Sequence, residues 1–275
     1  MEHHPIAFIG AGNMASALFG GLLKRGYPAE RIMAADPHRA SLEAAAELGI
    51  KTASHNGEAI GFADTLVLAV KPQVLQSVLE PLQGALAEHR PLIISIAAGI
   101  DLATLQRWCG TELPIVRCMP NTPALVQCGA TGLYASENVS AEQKQQAQSI
   151  LEAVGSAIWL GDEASIDAVT AVSGSGPAYF FAVIEAMEEA GVALGLSPQE
   201  AEQLTLQTAL GAARMAIESE HHASELRRRV TSPGGTTERA LAAFEQGGLK
   251  DLFRRAMEDC AERSRELARE LGEKS

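Results

Sequence analysis

Aromatic residues make up only 4% of this 275-residue chain: two Trp, three Tyr and seven Phe. A core with so few rings must close on small and branched side chains. Its 47 alanines suit helices packed at short range. Cysteine is scarce as well. Cys109, Cys118, Cys128 and Cys260 form no C-x-x-C pair, which excludes the usual zinc and disulfide frameworks and leaves reduced structural thiols. Positive charge is in deficit, with 22 Lys+Arg against 34 Asp+Glu and a net charge of -12. No basic stripe or tail stands out, which argues against nucleic acid or an anionic membrane as the main partner. Long apolar runs are also missing. Ile6 to Ile9 is too short for a signal or an anchor. The uncharged stretch 168–184 contains Gly174-Ser175-Gly176-Pro177 and cannot run as one membrane helix. A soluble cytoplasmic protein is expected.

What is present is globular. The chain is 47% hydrophobic and 20% charged, and its length suggests about two domains. Ile6–Ile9, Ile32–Ala35, Thr65–Val70, Leu92–Ile96 and Ile115–Cys118 read as strands. Helical stretches alternate with them at Asn13–Arg25, Arg39–Leu48, Gln73–Ala87 and Leu102–Trp108. This alternation predicts an α/β fold, a Rossmann-type parallel sheet with helices on both faces over residues 1–162. Beyond that the strand signal stops, and residues 163–275 are expected to be all helical. Ser197-Pro198-Gln199-Glu200 is a capping box that opens a helix to about Ile217. Leu249, Leu252, Phe253, Ala256, Met257, Cys260, Ser264, Leu267 and Leu271 keep the spacing of one buried stripe. These stripes are long for so short a domain, so another subunit is expected to cover part of them.

Gly10-Ala11-Gly12-Asn13-Met14-Ala15 follows the first strand and opens a helix. Gly10 permits the tight turn, Gly12 lets backbone approach a pyrophosphate, and Ala15 allows close helix packing. Phosphates would sit on the helix N-terminus. Ile9 to Met14 are therefore candidate cofactor contacts. Asp36, at the end of the second strand, is placed to bind a free ribose 2'-hydroxyl, which favours NAD. Arg39, or a protonated His38, is placed to meet a 2'-phosphate, which favours NADP. Both readings stay open. Ala69-Val70-Lys71-Pro72 and Ala97-Ala98-Gly99 follow later strands and should line the cofactor, with Lys71 in a positioning role.

A second constellation lies elsewhere: Met119-Pro120-Asn121-Thr122-Pro123, Ser173-Gly174-Ser175-Gly176-Pro177 and Thr231-Ser232-Pro233-Gly234-Gly235-Thr236-Thr237. The last precedes a helix expected at Glu238–Phe244, so its backbone N–H groups form a carboxylate or phosphate receptor. The hydroxyls of Ser232, Thr236 and Thr237 add donors. Asn121 and Ser175 join Ser232, Gly234, Gly235, Thr236 and Thr237 as candidate substrate contacts. His221-His222 reads as a helix-end pair, and no metal site is expected.

In these blocks the chain resembles the pyrroline-5-carboxylate reductases. The likeness rests on Phe8–Met14, Ala69–Pro72, Ser95–Gly99, Arg117–Pro123, Ala171–Tyr179 and Val230–Thr237, in that order along nearly the whole chain. It implies hydride transfer from NAD(P)H, commonly NADPH, to the imine carbon of 1-pyrroline-5-carboxylate, giving L-proline. It also implies Thr237 as donor to the ring nitrogen, Asn56 beside the adenosine ribose, and a helical domain that interlocks into a homodimer, often within a larger ring such as a decamer. A beta-hydroxyacid dehydrogenase shares the glycine-Asn-Met start but needs a lysine as proton handler, and Pro177 to Met187 has none. A dinucleotide-sensing protein without turnover would carry the glycine turn and would not need the carboxylate receptor.

Overall fold

The computed structural model describes residues 3–273. The first strand, β1 (Ile6–Ile9), is buried throughout. Ile6 and Phe8 enter one apolar cluster, and Ala7 and Ile9 enter another. Successive side chains of a strand point to opposite faces, so a strand apolar on both must lie between two helical layers. β4 (Thr65–Leu68) and β5 (Leu92–Ser95) are likewise buried throughout. With β2 (Ile32–Ala35), β3 (Lys51–Ala53) and β6 (Ile115–Met119) they form a parallel array in the order β3-β2-β1-β4-β5-β6. On the first face Phe8 and Phe19 meet edge to face at 5.6 Å, worth about 0.5–1.5 kcal/mol beyond their burial.

The sheet is larger than expected and not wholly parallel. β7 (Gly129–Ala135) runs antiparallel to β6, and β8 (Gly155–Trp159) runs parallel to β7, making eight strands. Only residues 120–128 join β6 to β7. A parallel crossover needs about a dozen residues or more, so the chain must turn straight back. Glycines at 129, 132 and 155 weaken the strand signal of β7 and β8 in the sequence. The short β3 went unread for a different reason: two of its three residues are exposed.

Around the sheet lie α1 (Asn13–Lys24), α2 (Arg39–Glu47), α3 (Asn56–Phe62), α4 (Pro72–Leu79), α5 (Gln83–His89), α6 (Leu102–Cys109) and α7 (Ala141–Glu152). The single helix expected over Gln73–Ala87 is α4 and α5, separated by a 3-10 turn at Glu80–Leu82. Pro81 sits in that turn, where its missing N–H and its ring interrupt the α-helical ladder. Burial pushes the Cys109 thiol up to about 12 and raises that of Cys118 further, so both are inert core groups.

The chain then passes through α8 (Ser165–Val169) and a π-turn at Thr170–Gly174. α9 (Gly176–Ala193), α10 (Pro198–Glu218), α11 (Ala223–Arg229), α12 (Thr236–Gln246) and α13 (Leu249–Glu273) follow. Two compact units result: Met1–Ser175 with Cys260–Ser275, and Gly176–Asp259. This division falls later than the expected 162/163 boundary because the intervening segment is tied to the sheet. The Arg117 guanidinium, 6% exposed, donates to Glu163 at 2.9 Å, and the same carboxylate oxygen accepts the Leu102 N–H at 2.8 Å. The Ser264 hydroxyl donates to Asp167 at 2.7 Å, which holds the last part of α13 in the first unit. In the second unit α9 and α10 approach closely where Gly191 faces Ala201. The first part of the α13 stripe is left open within this chain: Leu252 is 55% exposed, and Leu249 and Phe253 are exposed too, whereas Ser264 is 7% exposed and Leu271 packs against the core.

Candidate active site

The parallel register brings several strand ends to one edge. Ile9 pairs with Ala35 on one side and with Leu68 on the other. The turn after β1 therefore lies between the turns after β2 and β4, where the strand order reverses. Open α/β sheets bind ligands at that crevice. Gly10 has φ of +96°, and a Cβ there would lie 2.7 Å from the Ala69 carbonyl oxygen. Gly12 is the N-cap of α1, with no side-chain cap and nothing of the protein within 4 Å of a Cβ position. The N–H groups of Gly12, Asn13 and Met14 meet no acceptor among the described residues. Gly12 and Asn13 are exposed, whereas Ile9, Gly10 and Ala11 are buried. A crowded first glycine, an open second one and unmet donors on a positive helix end fit a pyrophosphate.

The remaining candidates differ in their placement. Asp36 is 8% exposed; its Oδ2 accepts the Ala11 N–H at 2.7 Å and its Oδ1 the His38 N–H at 2.8 Å. Arg39 begins α2 with its side chain 90% exposed, donating only to Glu43 at 2.7 Å. Asn56 is the first residue of α3 and is partly buried. Lys71 is the exposed N-cap of α4, and Pro72 occupies its first helical position. Ala69 and Val70 are partly buried beside Gly10. Of the next group only Ala98 is exposed; Ala97 is 3% exposed, and a Cβ on Gly99 would touch Leu267, Ala268 and Leu271 of α13.

In the second unit, α12 begins at Thr236, two residues before the expected start. Thr236 and Thr237 thus form its first turn instead of a preceding loop. Hydroxyl side chains are well tolerated at the open end of a helix, and the two glycines before them set the entry. Gly235 is the N-cap without a side-chain cap, and Gly234 turns at φ of +71°. Neither the N–H groups of Thr236, Thr237 and Glu238 nor the Thr237 hydroxyl has a partner among the described residues. Thr237 is partly buried, while Ser232, Gly234 and Thr236 are exposed. The Glu238 carboxylate folds back to accept the Gly234 N–H at 2.7 Å, a contact that sequence spacing did not suggest. The α12 end thus offers unmet N–H donors and one hydroxyl, an arrangement that suits a small anion.

Asn121 and Ser175 belong to the first unit and are tied into its frame. The Asn121 side chain donates to the Ser173 carbonyl at 2.9 Å and accepts the Ala130 N–H at 2.9 Å, with 8% exposure. It thereby joins the turn after β6 to β7 and to the π-turn, a type of helical irregularity common at functional sites. The Ser175 N–H closes that turn on the Thr170 carbonyl at 2.8 Å, and its hydroxyl lies 3.2 Å from the Cys260 sulfur. The sequence placed Cys260 on the α13 stripe but not beside Ser175, because 85 residues separate the pair. No group of three or more His, Cys, Asp or Glu able to hold a metal occurs among the described residues. Among them, no helix is long and apolar enough to cross a membrane.

Residues 163–267 match the family described as pyrroline-5-carboxylate reductase dimerisation. Residues 5–99 match that described as NADP oxidoreductase, coenzyme F420-dependent. The chain is 55% identical to a pyrroline-5-carboxylate reductase of Pseudomonas aeruginosa, covering 98% of each chain. The structure of a pyrroline-5-carboxylate reductase from Coxiella burnetii superposes with a TM-score of 0.94 at 44% identity, over 97% of this chain and 99% of the other. That of the Plasmodium falciparum enzyme with NADP bound gives 0.84 at 32% identity, over 98% and 99%.

Proposed function

The chain belongs to the pyrroline-5-carboxylate reductase family, and from that premise we propose how its own residues carry the reaction. The protein reduces 1-pyrroline-5-carboxylate to L-proline with NAD(P)H, the last step of proline biosynthesis. Bound NADPH supplies the hydride. The observation that carries the reading is a pair of glycine-capped helix ends, at Gly12 and Gly235, both without a side-chain cap. By contrast, α7 and α10 start from complete capping boxes. Open ends at α1 and α12 leave donors for two different anions, a pyrophosphate and a carboxylate.

In this reading Gly12, Asn13 and Met14 hold the pyrophosphate, and Ala69, Val70 and Ala98 line the nucleotide. Lys71, Pro72, Ala97 and Gly99 shape the loops that do so. Asn56 flanks the adenosine ribose. Ser232 with the free N–H groups and hydroxyls of Thr236 and Thr237 receives the substrate carboxylate. Gly234 and Gly235, expected from the sequence as contacts too, set the turn instead, because their N–H groups already go to Glu238 and to the Ser232 carbonyl. The π-turn with Ser175 and Asn121 shapes the substrate side. An imine accepts hydride once its nitrogen is hydrogen-bonded or protonated, so no nucleophile is required. The Thr237 hydroxyl donates to that nitrogen and stabilises the charge as the imine becomes an amine. The rest is alignment, which supplies on the order of 7–11 kcal/mol.

Replacement Thr237→Ala tests the assignment. Turnover is expected to fall about 10²–10³-fold, the loss typical of one missing donor to developing charge. NADPH affinity, read from nucleotide fluorescence without substrate, should stay within about twofold of the parent's, since α12 supplies no pyrophosphate donor. Unchanged turnover would remove Thr237 from the mechanism.

We assign dinucleotide binding to residues 1–162, and substrate binding with self-association to 163–275. The chain carries a dimerisation domain and self-associates. The proposed form is an intertwined homodimer, extended to a ring such as a decamer. Phe180, Phe181, Leu194 and Ile217, between 65% and 88% exposed in one chain, support a covered face there. A cytoplasmic location goes with the four free thiols.

A further inference from the structure

An acid at the end of β2 commonly reads a free ribose 2'-hydroxyl, yet this protein uses NADP. The geometry points to another task for Asp36: it is a positioning residue that clamps the glycine-rich turn, and it does not discriminate between the two nicotinamide cofactors. This rests on the dinucleotide reading of the β1 turn given above.

The clamp follows from strand register. Ile9 pairs with Ala35, so the residues just past these strand ends are neighbours. The Gly10 N–H donates to the Ala35 carbonyl at 2.8 Å, and the next donor, the Ala11 N–H, goes to Asp36 Oδ2 at 2.7 Å. Two consecutive donors of the turn are thus fixed on the β2 side. On the other side, the Ala69 N–H donates to the Ile9 carbonyl at 2.8 Å. The second Asp36 oxygen accepts the His38 N–H, which holds the carboxylate itself in place. Both bonds are charge-assisted and of the short kind. Asp36 is only 8% exposed, and both of its carboxylate oxygens are engaged by the loop.

Only from Gly12 onward are the N–H groups left for a ligand. Their direction is set by the residue before them, and that residue is held by Asp36. The clamp therefore serves the pyrophosphate, which NADPH and NADH share. Reading of a 2'-phosphate falls to the far side of the same loop. There the Arg39 guanidinium is held only by an exposed ion pair to Glu43, weak enough for a phosphate to displace.

The experiment is an affinity comparison on the full-length protein without substrate, titrating NADPH and NADH by their fluorescence. Asp36→Asn keeps the side chain's shape but turns an amide N–H₂ toward one of the two backbone donors, leaving that donor unmet. Both affinities should fall by at least about tenfold, with their ratio held within about threefold, because the shared pyrophosphate receptor is what loosens. In steady state the loss should fall on KM for both cofactors more than on kcat. The Ala11 amide should exchange faster with solvent in the variant than in the parent. Asp36→Ser provides a second, smaller lesion should the asparagine variant fold poorly. Arg39→Ala is the contrast: it should weaken NADPH alone. Selective loss of NADH binding with NADPH retained or improved in the Asp36 variants would overturn the clamp and restore a ribose-reading role. Unchanged affinity for both would overturn it as well. These binding readouts stand even if the imine is not reduced, so failure of the clamp and failure of the reductase reading are distinguishable.

Discussion

Gly10 shows how tightly one position is specified. Its φ of +96° lies in the region that side chains avoid, and a Cβ would press to 2.7 Å on a backbone carbonyl at Ala69. Backbone cannot swing aside as the end of a long side chain does. Gly10→Ala should therefore cost more than the usual ~0.4–1 kcal/mol scale of glycine-to-alanine changes. We expect a lower thermal midpoint and NADPH affinity reduced by about tenfold or more, since ~1.4 kcal/mol is already tenfold. A melt and a fluorescence titration check both; wild-type affinity would show that the turn can relax. The glycine pattern was readable because its chemistry is local. The partner of Asp36 was not, because 25 residues separate it from Ala11 and only strand register joins them. Asn121 is similar: its residue type suggested a site, but its bond to Ser173 crosses 52 residues.

Among the elements, α11 carries a testable electrostatic signature. Hydrogen bonds from Arg228 and Arg229 lower the Glu225 carboxyl from 4.5 to about 2. The group's folded value is depressed, so its contribution is fully present above 4.5 and is lost as pH falls through about 2. Helicity by circular dichroism should show a loss in that window, smaller in high salt, because the pairs are exposed. Glu225→Gln should remove that step; an unaltered acid transition would assign it to other carboxylates. Helices with strong ends were legible at this scale. The Ser197 capping box and the helix after it appear as read, with α10 ending at Glu218. Elements with mixed signals were not legible. Pro81 interrupts an apparently continuous helix, and β7 and β8 carry glycines where strands prefer branched residues. Their pairing with β6 supplies what local propensity lacks.

At the scale of the whole molecule, the distribution of apolar surface differs between the two units. The first unit buries most of its apolar residues in two clusters, one on each face of the sheet, though Val126, Ile158 and Val172 stay exposed. The helices of the second unit leave Phe180 at 70%, Phe181 at 65% and Leu194 at 88% exposure. Replacing Phe180 and Phe181 together with Asp adds charge where a partner is expected and removes little packing within the chain. Light scattering after size exclusion should show a shift toward the monomer, with the circular dichroism of the first unit's fold retained. Persistence of the parent's mass would place the interface elsewhere. The long stripe of α13 had suggested such an interface from spacing alone, since it was too extensive for one small domain to cover.

Local sequence was enough to set the class of the fold, the glycine turn after β1 and the open glycine-threonine start of α12. Each of these depends on neighbours within a few residues: a glycine's φ, a helix end's free donors, an alternation of apolar positions. Tertiary structure decided what each polar group was left free to do. Asp36 and Asn121 read as ligand contacts from the sequence; strand register and the π-turn also engage them with backbone groups 25 and 52 residues away. Thr237 kept its hydroxyl unpartnered because α12 begins two residues earlier than spacing suggested. A hydrogen-bonding side chain offers the same atoms in any sequence, and only the folded chain settles which of them already have partners.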